Sequence, residues 1–121
     1  MIQICHVSYD EESQEAEIAL ESNQVCVLCY FHPAGSIEHV YKSIKNDLLA
    51  YQVTDIMIEN APTPLALKTS DGYYSYFLRG KVISKSRIQI YDFVVDIGFI
   101  PNDIPIGAYV SCQCLRLDIV G

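Results

Sequence analysis

Hydrophobic and polar residues alternate along much of this chain, and this pattern predicts a β-rich fold. From Glu15 onward, acidic side chains alternate with Ala16, Ile18 and Leu20, which predicts a strand with one buried and one polar face. Residues 24–32 are apolar on both faces, as is typical of a central strand. Short connections favour antiparallel pairing. The predicted strands are 1–9, 15–21, 24–32, 53–59, 65–69, 73–84, 87–97 and 108–120.

One segment has helical periodicity. Pro33 and Gly35 interrupt the preceding strand, and Ser36 can cap a helix. Apolar residues then recur at three- and four-residue spacing, with polar residues on the opposite face. The apolar positions are Ile37, Val40, Tyr41, Ile44, Leu48 and Tyr51. The sequence therefore predicts one amphipathic helix at about 37–51 and an α+β fold that is mostly antiparallel β.

Two architectures fit this order of elements. One is a curved sheet packed on the helix, and the other is a partly closed barrel that resembles the OB fold in its order of three strands, a helix and more strands. Gly80 lies inside a long predicted strand, where glycine indicates a bulge or a sharp bend. The length of 121 residues fits a single domain spanning 1–121.

Composition narrows the class of protein. The formal net charge is −7, half of the residues are hydrophobic, and no apolar run approaches the ~18 residues of a membrane span. The first residues do not resemble a signal peptide. The five cysteines cannot all pair within the chain and lie in apolar runs, which is typical of a reducing compartment. We therefore expect a cytoplasmic protein that does not enter membranes.

Motifs for catalysis and metal binding are weak. Cys26 and Cys29 have a chelating spacing, with His32 close by, but on a strand the two thiols point to opposite faces. His6 and His39 lie in no nucleophile motif, and the chain has no phosphate-binding glycine loop. The sequence thus predicts a protein that is not an enzyme and has no cofactor or metal site.

Acidic residues dominate the start of the chain. The first 22 residues contain six acids and no lysine or arginine: Asp10, Glu11, Glu12, Glu15, Glu17 and Glu21. One interpretation is a solvated edge strand whose charges prevent aggregation. The other is a row of carboxylates that binds lysine and arginine side chains of a protein partner.

Residues 73–91 have the opposite character, because they contain four cations and five aromatic residues but no acid. β-rich domains bind single-stranded nucleic acid with such sets. The candidate nucleic-acid residues are Tyr73, Phe77, Arg79, Lys81, Lys85, Arg87 and Tyr91. Tyr74, Tyr76 and Leu78 lie on the other face of the same predicted strand, and one of the two faces must belong to the core. The net charge of −7 argues against nucleic acid as the partner.

In size and acidic composition, the chain resembles the immunity proteins of bacterial toxin–immunity pairs. That resemblance implies tight occlusion of a basic toxin domain, often a nuclease, and carries over no individual residue. The leading hypothesis is therefore an acidic inhibitor that docks through residues 10–21. An OB-like single-stranded nucleic-acid-binding module is the alternative, and a structural subunit of a homo-oligomer is the third. The inhibitor itself is expected to be a monomer or a homodimer.

Overall fold

The computed structural model describes residues 1–13, 15–31, 47–70 and 72–119. Within these ranges the chain forms eleven strands and no helix. The strands are β1 (Gln3–Asp10), β2 (Glu15–Ser22), β3 (Val25–Phe31), β4 (Leu48–Tyr51), β5 (Thr54–Glu59), β6 (Leu65–Lys68), β7 (Tyr76–Val82), β8 (Arg87–Ile90), β9 (Phe93–Asp96), β10 (Tyr109–Cys114) and β11 (Arg116–Ile119). In the part of the chain described, we find no helix long and apolar enough to cross a membrane.

All eleven strands belong to one open sheet, in the order β1-β2-β3-β11-β4-β9-β8-β7-β10-β5, with β6 paired to β7. The β3–β11 and β4–β9 pairs are parallel. Every other pair is antiparallel, as the short connections predict. The parallel β3–β11 pair joins the early hairpins to the end of the chain and so places distant residues on one surface.

The inner face of the sheet forms the core because alternate residues of strands such as β2, β4, β8 and β9 point inward. On β2, Ala16, Ile18 and Leu20 are buried, as their alternation with acids predicts. Tyr76 reaches from β7 towards β3, where its hydroxyl accepts a hydrogen bond of 2.8 Å from the Leu28 amide. Fully buried side chains of the core include Phe31, Phe93, Leu78, Ile88, Ile90, Leu117 and Val95.

The predicted α+β fold with a helix at about 37–51 is wrong for the described residues. Residues 48–51 form β4, which pairs with β11 on one side and β9 on the other, while residues 37–46 lie outside the described residues. Leu48 and Ala50 face the core and Leu49 and Tyr51 are exposed, a period of two. The three-residue spacing of Leu48 and Tyr51 also fits a helix. Pairing with the distant strands β11 and β9 favours the strand conformation over the helix.

The other predicted architecture, a partly closed OB-like barrel, is not found among the described residues, whose eleven strands form an open sheet. Two predicted long strands are also divided. Residues 87–97 form the β8–β9 hairpin, with a turn at Tyr91 and Asp92, and residues 108–120 are interrupted at Leu115 between β10 and β11. The turn uses Tyr91 in the left-handed region, with φ of 53°. A Tyr-Asp pair lacks the glycine or asparagine that usually marks such a turn in sequence.

Gly80 marks a close approach between two strands. The sequence predicted a bulge or a sharp bend there, but the β7–β10 ladder runs through Gly80 without a shift of register. A Cβ at this residue would lie 2.7 Å from the Gln89 carbonyl oxygen and 2.9 Å from Ile90 Cγ1 on the neighbouring strand β8. Only glycine lets β7 and β8 meet this closely above the core.

Candidate functional site

The six acids lie on or beside the β1–β2 hairpin. Opposite pairs in this hairpin include Asp10 with Glu15 and Ser8 with Glu17. The side chains of Glu15, Glu17 and Glu21 are half-buried on the outer face, opposite the buried face of β2. The prediction that these three charges face outward together is confirmed. Glu11 and Glu12 are exposed in the turn.

Local hydrogen bonds hold this turn. The Glu12 amide donates to Asp10 Oδ1 at 3.1 Å, and the Glu15 amide donates to Ser13 Oγ at 3.3 Å. Short polar side chains that accept from a nearby backbone amide stabilise a tight turn. The backbone amides on either side of the turn, at Glu12 and Glu15, are therefore both hydrogen-bonded.

Two tyrosines contact the carboxylates of β2. The Tyr74 hydroxyl donates a 2.5 Å hydrogen bond to Glu17 Oε1, and Tyr30 on β3 is opposite Glu17 in the sheet. The rings of Tyr30 and Tyr74 meet edge to face, with centroids 6.5 Å apart and planes at 75°. Tyr74 precedes β7, so this residue brings the start of β7 into contact with the outer face of the acidic hairpin.

These contacts alter the ionisation of the phenols. Partial burial raises the pKa of Tyr74 most, followed by its hydrogen bond to Glu17 and by the charge of that carboxylate. Interaction with the Glu15 carboxylate is the main cause of the raised pKa of Tyr30, ahead of burial. Both phenols therefore stay protonated at neutral pH, and Tyr74 continues to donate to Glu17.

A cleft of about 200 Å³ opens between the hairpin and these tyrosines. We call it the acidic cleft. It is lined by Ser8, Tyr9, Asp10, Ser13, Glu15, Ala16, Glu17, Tyr30 and Tyr74. The described residues around it thus include three carboxylates and three tyrosines but no lysine or arginine.

Next to the cleft, the chain places its own guanidinium between two aromatic rings. The Arg116 guanidinium carbon lies 4.5 Å from the ring centroid of Tyr30 and 4.8 Å from that of Tyr51. Asp118 binds the same group through two oxygens, with Arg116 Nε 2.6 Å from Oδ1. Sheet register explains the arrangement, because Tyr51 is opposite Arg116 and Tyr30 is opposite Asp118. We call this group the arginine seat.

Aromatic contacts continue along the surface from the arginine seat. Tyr73 packs edge to face on Tyr74, with ring centroids 4.8 Å apart, and is 64 % exposed. Lys68 Nζ lies 5.1 Å from the Tyr73 ring centroid and also donates to the Tyr73 carbonyl oxygen. The outer surface thus carries a row of aromatic rings with a cation at intervals, bordered by the carboxylates of β2.

The candidate nucleic-acid residues do not form one site. Tyr73 belongs to the aromatic row beside the acidic hairpin, while Phe77, Arg79 and Lys81 lie on β7 and pair with β6 or β8. Lys85 is exposed between β7 and β8, Arg87 begins β8, and Tyr91 lies in the β8–β9 turn and packs against the core.

Two of the four cations in that set have protein partners. Arg79 Nε donates to the Thr63 carbonyl oxygen at 2.7 Å, and Arg87 Nε lies 2.6 Å from Asp47 Oδ2. Tyr76 and Leu78 are buried, so the opposite face of β7 belongs to the core. This arrangement leaves fewer free cations for a nucleic-acid backbone than the sequence indicates.

Cysteine side chains do not converge on an ion within the described residues. Cys26 is exposed and Cys29 is buried, so the two thiols do point to opposite faces. Burial raises the pKa of Cys112 to about 12 and that of Cys114 to about 11, and it also raises the pKa of Cys29. Among residues 1–13, 15–31, 47–70 and 72–119, no group of three or more His, Cys, Asp or Glu is placed to hold a metal.

Sequence reasoning did not select several residues of this surface. Tyr30, Tyr51, Arg116 and Asp118 all point outward from strands, and the alternation of Arg116 and Asp118 with buried Leu117 is visible in the sequence. That alternation gives the face of each side chain. It does not give the neighbouring strand, which depends on the parallel pairing of β3 with β11.

Comparisons with protein-family models, curated proteins and solved structures found no match. The chemistry of the acidic face is therefore the basis for assigning a function.

Proposed function

We propose that the protein is a non-enzymatic acidic binding protein that docks a basic protein domain on its β1–β2 hairpin, as inhibitors of the bacterial toxin–immunity type do. One observation carries the proposal. Glu15 and Glu17 are half-buried on the outer face beside Tyr30 and Tyr74, and the Tyr74 hydroxyl donates a hydrogen bond to Glu17. Carboxylates fixed in this way lose less side-chain freedom on binding than mobile surface acids do.

Two features of this face would contribute to docking: its negative charge and its exposed aromatic rings. Six acids on one hairpin attract a cationic surface and orient it before contact. Tyr73, which is 64 % exposed, and its neighbour Tyr74 offer the rigid aromatic area that commonly anchors an interface. Inhibition would follow by occlusion, since a partner whose cationic site contacts this hairpin is unable to bind an anionic substrate there.

The first test is capture of the partner from cells that express the protein naturally. The bait is wild-type protein, and the control bait carries Glu15→Gln, Glu17→Gln and Glu21→Gln. We expect a protein with a basic domain that binds wild type and is lost with the triple variant. Recovery of only nucleic acid or a small metabolite would contradict the proposal.

The second test measures association of the captured partner at two salt concentrations. Removing three charges from the hairpin should lower the association rate about tenfold at 0.05 M salt and much less at 0.5 M, where screening is strong. A matched variant, Asp55→Asn with Glu59→Gln and Asp103→Asn, also removes three negative charges, away from the hairpin. Equal rates for the two triple variants would show that net charge, and not this face, steers binding.

One observation favours the third hypothesis, a subunit of a homo-oligomer. β5 ends the described sheet and exposes Met57 and Ile58, at 58 % and 55 %. Apolar residues on a terminal strand can pair with another chain. Light scattering of wild type and of Ile58→Lys distinguishes this case, because only an oligomer joined through β5 would lose mass in the variant.

A further inference from the structure

We infer that the acidic cleft receives a single arginine side chain of the partner and discriminates against lysine. The inference rests on the proposed function, a basic protein partner, and narrows it to one chemical group at one place. Carboxylates alone would attract any cation. The choice of arginine comes from the aromatic walls, the size of the cleft and the way the chain binds its own arginine beside it.

Hydrogen-bonding capacity remains in the cleft after its internal bonds are made. An ionised carboxylate has about four acceptor sites. Glu17 uses one of them for Tyr74, and Glu15 lies beside Tyr30 in the same lining. The remaining acceptor sites suit a guanidinium, since it presents five N–H donors and binds carboxylates through two parallel hydrogen bonds.

The aromatic walls add a preference for a flat cation. Tyr30 and Tyr74 meet at 75°, so their rings form a corner of the cleft. A guanidinium can lie against a ring face while its edge binds a carboxylate, whereas an ammonium is a compact, strongly hydrated point charge. The size also fits, because an engineered cavity of about 150 Å³ holds benzene and this cleft measures about 200 Å³.

The arginine seat gives independent evidence for this chemistry. There, Tyr30 and Tyr51 contact a guanidinium that Asp118 binds through two oxygens. The acidic cleft repeats the same parts around Tyr30: a second tyrosine, Tyr74, and carboxylates within hydrogen-bonding reach. The seat is already filled by Arg116. The cleft has an equivalent set of partners and no cation among its described lining residues.

The test is an NMR titration of the full chain at low salt with three short probes. They are acetyl-Gly-Arg-Gly-amide, the lysine analogue and the citrulline analogue, which keeps the shape of arginine without its charge. We expect amide shifts at residues 8–17, 30 and 74, weak millimolar binding, and at least about threefold tighter binding of the arginine probe than of the lysine probe. Citrulline should bind much more weakly.

Two matched variants locate the effect. Glu17→Gln should weaken arginine binding about tenfold, the loss expected for a charge-assisted hydrogen bond. Glu21→Gln removes the same charge from the same strand but does not line the cleft, so it should change binding less than twofold. Equal binding of the arginine and lysine probes, or equal losses in the two variants, would overturn the inference. The wild-type comparison alone decides the first point, even if a variant fails to fold.

The two proposals fail in different ways. If the cleft does not select arginine but the captured partner still associates in a salt-dependent manner through the hairpin, only the inference is wrong. If the arginine probe binds in the cleft and no basic protein is captured, the proposed function is wrong while the chemistry of the cleft stands.

Discussion

Replacing Gly80 by alanine tests the close approach of β7 and β8. In an open strand, glycine to alanine would stabilise the protein by about 0.4–1 kcal/mol, because alanine restricts the unfolded chain. Here the added Cβ would lie 2.7 Å from the Gln89 carbonyl oxygen, closer than the 3.0 Å limit below which such contacts essentially never occur. The second contact, 2.9 Å to Ile90 Cγ1, lies within the same limit. The structure therefore predicts a change of the opposite sign.

The magnitude follows from these two effects. Overpacking a core position typically costs about 1–3 kcal/mol, so the net loss after the gain from the unfolded chain is about 1–2 kcal/mol. An unfolding entropy of about 2.1 cal/mol/K per residue gives about 0.25 kcal/mol/K for this chain. The expected fall in Tm is therefore about 4–8 °C.

Urea denaturation followed by circular dichroism measures this loss. The midpoint should fall while the m-value is unchanged, since the surface exposed on unfolding is the same. A double-mutant cycle with Ile90→Ala separates the two contacts, with Ile90→Ala alone as the reference because truncating this buried side chain itself costs about 2–5 kcal/mol. In the Ile90→Ala background, Gly80→Ala should still lose most of the same free energy of unfolding, because the Gln89 backbone oxygen stays in place. An unchanged or raised stability for Gly80→Ala would refute the close approach.

Two further predictions concern the cysteines. In the folded protein at pH 8, a thiol reagent should rapidly modify the two exposed cysteines, Cys5 and Cys26. The three buried cysteines, Cys29, Cys112 and Cys114, should react only when urea unfolds the chain. Rapid reaction of all five would contradict the buried positions. Burial raises the pKa of Cys112 to about 12 and of Cys114 to about 11. The contribution of these thiols to the free energy of unfolding should therefore be constant below the unfolded thiol pKa of about 8.5. Above that pH it should fall by up to about 1.4 kcal/mol per pH unit per thiol, because the unfolded chain loses these protons first. Urea midpoints from pH 7.5 to 10 measure the slope, and Cys112→Ala should reduce it.

Local alternation predicted the features of the fold that depend on neighbouring residues. The burial of Ile18 and Leu20 and the outward direction of the acids on β2 both follow from a period of two. The four residues of β4 are too few to separate a period of two from a helical spacing. Their strand conformation depends on β11 and β9, which lie far along the chain.

The candidate site also combines features that local sequence predicts with features that depend on pairing between distant strands. One row of residues crosses seven strands on the outer face, and each member is opposite the next in the sheet. It runs Ser8, Glu17, Tyr30, Asp118, Leu49, Asp96 and Arg87. Alternation can give the face of each of these side chains, but the order across the sheet depends on two parallel pairings. For this reason the acids were found from the sequence, and their tyrosine and arginine neighbours were not.

The place of β2 in the sheet bears on the two interpretations of the acidic segment. Charges that prevent aggregation belong on an edge strand, where free backbone groups could pair with another chain. β2 is not such a strand, because β1 pairs with one side of it and β3 with the other. Glu15 and Glu17 nevertheless lie two residues apart on one face, where like charges repel. Edge protection does not account for this arrangement, whereas binding of an external cation would relieve the repulsion and use the carboxylate acceptor sites that the Tyr74 hydrogen bond leaves free.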